Sequence, residues 1–166
     1  IDGQIHVSLS VFQTGNIAFA NGGIVNVNHH IGGEILVSIG TARKVILDLI
    51  KTADVVCDCF PAGELESCGL SYEDACKVKP DIIYASHTGF GKTGPLSNTA
   101  GSNLTVEAVT GLLDVTGHEG SIPTTHGSRI ANQFGNLFFA IGIIGALMVR
   151  DETGEGQIVD VASSDS

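Results

Sequence analysis

The chain has 166 residues, 18 of them acidic and 8 basic, for a formal charge of −10; it lacks the clustered Lys and Arg that neutralise nucleic-acid phosphates. With 43% hydrophobic residues against 16% charged, it can bury a core and is not compositionally disordered. Trp is absent and glycines number 22, so the core should be aliphatic and the backbone should make many tight turns or close approaches. Residues 1–34 are the least regular. Asn21-Gly22-Gly23, Asn26 and Asn28 interrupt any period, and this segment reads as loop with at most one short strand. Ile35–Ile39 predicts a strand, and Thr41–Lys51, apolar at Val45, Ile46, Leu49 and Ile50, an amphipathic helix. Asp54–Cys57 predicts a short buried strand, with Phe60–Gly63 as the turn behind it. Ser71 then caps a helix that runs to Val78, with Asp74 at the capping-box position and Pro80 as terminator. Asp81–Ser86 predicts the next strand and Thr105–Leu113 another helix. Leu137–Val149 is a 13-residue apolar run closed by Arg150, Asp151 and Glu152. A membrane span needs about 20 residues, so the run predicts a buried helix ending near Arg150, and no membrane partner. Its Gly142 and Gly145 would let another backbone come close. Gln157–Ala162 predicts a final strand. Strands alternating with helices imply βαβ units in an open, mostly parallel α/β sheet.

The four cysteines, Cys57, Cys59, Cys68 and Cys76, match neither a redox pair nor a zinc pattern, and read as reduced thiols of a cytoplasmic protein. No secretory leader pattern opens the chain. Among His6, His29, His30, His87, His118 and His126 only one pair is adjacent in sequence. Neighbours on a strand face opposite sides, so no metal site is expected. Asp58, Glu64 and Glu66 read as an acidic, solvated turn.

Ser86–Pro95 follows a strand, where open α/β sheets place their ligands. Gly89-x-Gly91-x-x-Gly94 overlaps the dinucleotide fingerprint, and Gly91-Lys92-Thr93 the end of a phosphate loop. Both motifs need a helix to start at the glycines. Pro95 and the Asn98–Gly101 stretch leave no room for one, so the loop is expected to offer a backbone surface to a flat or anionic group.

Ala53-Asp54-Val55-Val56 through Phe60, Gly63 and Gly69-Leu70, then Tyr72, Pro80 and Ile83–Pro95, form an ordered series. It continues with Ala108–Gly111, Val115–Gly117, Pro123, the apolar helix, Thr153–Gln157 and Val159–Val161. In these residues the chain resembles the class III coenzyme A transferases, of the formyl-CoA and carnitine CoA-transferase kind, and the related α-methylacyl-CoA racemases. The resemblance runs over about residues 35–166. It implies a fragment of a longer two-domain protein, with residues 35–166 forming part of a large Rossmann-like, CoA-binding domain. It also implies an interlocked homodimer, or a heteromer with a homologous subunit. The implied substrates are an acyl-CoA thioester and a small carboxylic acid, with no tightly bound cofactor and no nucleic acid.

Family transferases attack the thioester with a carboxylate; racemases use an acid/base pair. Against those patterns, Asn103 and Asn132 stand where members often have Asp, and an amide is neither carboxylate nucleophile nor general base. Glu119, shortly after the Val-Thr-Gly segment, is the carboxylate the resemblance leaves for catalysis. The resemblance also implies CoA contacts at Phe60, Glu64, Ser67, Cys68, Thr88, Gly89, Phe90, Gly91 and Lys92. A non-catalytic subunit, whose homologous partner supplies the nucleophile, is the competing expectation; a racemase-like enzyme is the third.

Overall fold

The computed structural model describes residues 7–12, 17–22 and 39–166, with side chains from Arg43 onward. Five strands form one sheet in sequence order: β1 (Val7–Phe12), β2 (Ile17–Gly22), β3 (Val55–Asp58), β4 (Ile83–Thr88) and β5 (Gln157–Ala162). The first two pair antiparallel, whereas β2 through β5 run parallel. A hairpin therefore occupies part of the segment expected to be loop. Val7, Leu9 and Val11 alternate with Ser8 and Ser10 as a strand requires, a signal overshadowed by the Gly- and Asn-rich stretch that begins at Asn21. The strand expected at Ile35–Ile39 lies outside the described residues except for Ile39, which opens helix α1 (Ile39–Ile50).

Helix α1 and helix α3 (Tyr72–Val78) cover one face of the sheet, where Ile46, Ile50, Leu65, Leu70 and Ala75 pack on Val56, Ile82 and Tyr84. Ser71 caps α3 as expected, its hydroxyl accepting from the Asp74 N–H at 3.2 Å. A four-residue helix, α2 (Glu64–Ser67), fills what reads in sequence as the end of a turn. Helix α4 (Asn103–Val109) begins two residues earlier than expected because Ser102 and Thr105 form a reciprocal capping box.

The opposite face is covered by α5 (Ile130–Thr153), 24 residues long and thus long and apolar enough to cross a bilayer. Instead, its Phe139–Ile143–Ala146 stripe packs on Val55, Cys57, Ile83 and Ala85 of the sheet. Full burial of a side chain such as Phe139 or Ile143 contributes about 1.5–3 kcal/mol, enough to seat the helix. Gly142 brings α5 against β5, since a Cβ there would lie 2.8 Å from Val159 Cγ1; Gly145 meets nothing. The other flank of α5, including Phe134, Leu137, Phe138, Ile141, Ile144 and Met148, is exposed.

Candidate functional site

Parallel strands end together, so β3, β4 and β5 deliver Asp58–Cys59, His87–Thr88 and Ala162–Ser163 to one edge of the sheet. A cavity of about 560 Å³ opens there. Its walls are Cys59–Ala62 after β3, His87–Phe90 at the end of β4, parts of the 97–102 loop, Asn132 and Asn136 of α5, and Ser163. Among the described residues, none of the lining side chains is a carboxylate, lysine or arginine.

The glycine loop is shaped by its own backbone. A Cβ on Gly89 would sit 2.4 Å from Gly101 Cα, so the two chain segments touch directly, and the Gly89 carbonyl accepts from Ser164 N–H at 3.0 Å. Gly91 has φ +80°, a left-handed conformation that L side chains resist. The loop is further fastened by Lys92. Its ammonium donates to Asp58 Oδ2 at 3.0 Å and Glu66 Oε1 at 2.9 Å, and lies 5.5 Å from the Tyr84 ring centroid. Asp58 is only 2% exposed, and also accepts from Ser86 Oγ and the Phe60 N–H, each at 3.1 Å. The acidic turn is therefore not uniformly solvated: Asp58 is buried because three donors converge on it, while Glu64 and Glu66 are exposed. Burial is the largest single influence on Glu66 and works against its charge, but the Lys92 hydrogen bond, backbone hydrogen bonds and the Lys92 charge together outweigh it and hold this carboxyl below its ordinary range. Burial likewise opposes the Lys92 charge, and Glu66 with Asp58 raises its pKa above the usual lysine value.

On the other side of the cavity, His87 Nε2 lies 2.9 Å from Ser163 Oγ, and the imidazole stacks on Phe139 with ring centroids 5.5 Å apart. Helix α5 passes close over this pair at Gly135, where a Cβ would come within 2.5 Å of His87 Nε2 and 2.8 Å of Ser163 Oγ. Burial pushes the His87 pKa below its ordinary value, favouring the neutral ring. Thr88 Oγ1, in the same wall, is buried without a hydrogen-bond partner among the described residues.

Asn103 works as a two-ended bridge. Its Nδ2 donates to Oε1 of the wholly buried Glu107 at 2.7 Å, and its Oδ1 accepts from the Asn132 N–H at 3.1 Å, capping the first turn of α5 from another helix. No side chain of α5's own N-cap residue, Arg129, does so.

The structure thus brings Phe60, Thr88, Gly89, Phe90 and Asn132 to one cavity. Glu64, Ser67 and Cys68 lie on and after α2, Gly91 and Lys92 belong to the loop but not to the lining, and Asn103 supports α5 rather than lining the cavity. Glu119 is exposed, in the connection between α4 and α5, and is not part of the lining. Sequence reasoning missed Ser163 and Asn136, and gave His87 no role beyond its place in the Ser86–Pro95 loop, having set a metal site aside. The polar positions of α5 carried the available signal, since Asn132 and Asn136 are one helical turn apart.

A model of CoA-transferase family III matches residues 37–166. The chain belongs to this family. It is 36% identical over 124 residues to acetyl-CoA:oxalate CoA-transferase of Acetobacter aceti, covering 74% of this chain and 32% of that protein. It is 30% identical to the succinyl-CoA–L-malate CoA-transferase beta subunit of Chloroflexus aurantiacus, covering 86% of this chain and 42% of that one. A crystal structure of a CAIB/BAIF family protein from Brucella suis superposes with a TM-score of 0.72 at 38% identity, over 75% of this chain and 33% of that one. The chain spans about a third of the length of the curated relatives it matches. Its α/β sheet with flanking helices is accordingly a fragment of the larger family fold.

Proposed function

We propose that the protein containing this chain transfers CoA between an acyl-CoA thioester and a small carboxylic acid, with residues 35–166 forming part of the CoA-binding domain. The cavity at the C-terminal ends of β3, β4 and β5 carries the reading, because parallel sheets present ligands there and this one sits in a family III chain. Phe60, Gly89 and Phe90 offer a ring-and-backbone wall for the CoA moiety, which is a substrate rather than a resident cofactor. Cys57, Cys59, Cys68 and Cys76 are all unpaired, which supports a reducing, cytoplasmic setting. Incubating the full-length protein with acetyl-CoA or succinyl-CoA and oxalate, glutarate, mesaconate or malate should yield a new CoA thioester by mass spectrometry. No new thioester with any pair, together with no CoA binding by calorimetry, refutes the reading.

A second reading, a non-catalytic subunit working with a homologous partner, is favoured by one observation. The α5 residues that line the cavity include the amides Asn132 and Asn136 and no carboxylate, and Glu119, the carboxylate expected to serve as nucleophile, is exposed outside the lining. Similarity to a protein named as a beta subunit supports the same assembly, whereas the first reading carries the family's interlocked homodimer. Co-purification of a second family III chain that alone becomes acylated would select this reading.

A further inference from the structure

The cavity holds a nucleophile and a base that the family's carboxylate chemistry does not use. Ser163 Oγ and His87 Nε2 are 2.9 Å apart, within reach for proton transfer, and both residues line the cavity. In the tautomer protonated at Nδ1, Nε2 accepts the serine proton. Ring stacking on Phe139 and the close pass of Gly135 limit how far the imidazole can turn. Asn132 and Asn136 flank Gly135 and line the same cavity, and their side-chain amides make no hydrogen bond among the described residues, leaving N–H donors for a developing oxyanion. We propose that Ser163 and His87 form a nucleophile–base pair that hydrolyses acyl-CoA thioesters in this cavity. The proposal rests on the reading of the cavity as an acyl-CoA site.

The step balances with water as co-reactant. The Ser163 Oγ–C bond forms at the thioester carbonyl while His87 takes the hydroxyl proton; the C–S bond breaks, and the CoA thiolate leaves with that proton. Water then attacks the Ser163 ester, its proton passing to His87 and on to the departing serine oxygen, releasing the carboxylic acid. The half-buried His87, whose partial desolvation favours the neutral ring, is suited to the base role near neutral pH.

The test uses the full-length protein with acetyl-CoA and no acceptor acid, following CoA release with a thiol reagent. Wild type should release CoA, and Ser163→Ala and His87→Gln should each lower the rate at least about 100-fold. His87→Gln keeps a polar partner for Ser163, so it remains informative if Ser163→Ala does not fold. A fluorophosphonate probe should label Ser163 in wild type, located by peptide mapping, and label His87→Gln far more slowly. CoA release unchanged in either folded variant overturns the proposal. So does the absence of release and label in a wild-type protein that binds CoA by calorimetry, and that outcome leaves the CoA assignment standing. A protein that binds neither CoA nor acetyl-CoA overturns both.

Discussion

Replacing Asn103 by Asp is the most discriminating change available, because it alters one atom of a bridge with two dissimilar ends. The carboxylate still accepts from the Asn132 N–H, so the cap on α5 survives. The donor to Glu107 Oε1, at 2.7 Å, is lost, and a second carboxylate is set against a side chain with no solvent exposure. Loss of a hydrogen bond to such a group costs about 1.5–3 kcal/mol. Two like charges about 4 Å apart at an effective dielectric near 20 add up to about 4 kcal/mol, until a shared proton relieves them. The net expectation is a destabilisation of about 2–4 kcal/mol at pH 7, smaller at lower pH because a protonated carboxyl restores a donor. Urea unfolding of wild type, Asn103→Asp and Asn103→Ala at pH 7.5 and pH 5.5 measures this directly. If Asn103→Asp matches wild type at both pH values, Glu107 does not depend on the Asn103 donor; if Asn103→Ala matches as well, the bridge does not hold α5.

Lys92→Ala removes the cation from the buried Asp58 carboxylate, which keeps its Ser86 and Phe60 donors, and should cost about 1.5–3 kcal/mol, more than an exposed loop lysine, as thermal unfolding would show. The lowered Glu66 pKa contributes stability present above its unfolded value near 4.5 and lost as pH falls through the folded value; the raised Lys92 pKa contributes stability present below 10.5 and lost as pH rises through its folded value. Wild type should therefore gain from this pair between those limits, and a Lys92→Ala variant should show a shallower loss on acidification. Gly89→Ala should prevent correct folding or lower stability more than Gly91→Ala, since the first meets Gly101 backbone and the second meets only backbone strain and the Ala162 methyl at 3.6 Å; comparing their melting temperatures checks this. Trapping with acyl-CoA followed by hydroxylamine should modify Glu119 if this chain supplies the carboxylate, and peptide mapping that finds the label only on a co-purified homologue decides for the non-catalytic subunit.

Much of the chain after residue 53 was legible because its strands are short apolar runs bounded by Pro and Gly. Gln157–Ala162 matches its predicted bounds, and Ser71 announces α3 through its cap. The long helix was foreseen only from Leu137, although it starts at Ile130. Asn132, Gln133 and Asn136 break the apolar pattern there, and two of them do so because they face the cavity. Composition thus concealed the helix where it lines the cavity. Lys92 illustrates a second limit. Local sequence shows one cation in a glycine loop, while its partners Asp58 and Glu66 are 34 and 26 residues away, so its burden appears only once β3 and β4 pair. Ser163 gave no signal in a Ser- and Asp-rich stretch; its role depends on His87, 76 residues distant.

The contact between Gly89 and Gly101 bears on how aligned family sequences should be interpreted. Each glycine's missing side chain is the space the other's backbone occupies, so neither position can drift alone, and changing both at once deepens the conflict. Both columns would stay fixed through long divergence, even in descendants that had given up every ligand. Invariance at these two sites therefore measures persistence of the fold; loss or retention of activity has to be tracked at positions such as Thr88, Asn132 and Asn136, whose side chains line the cavity.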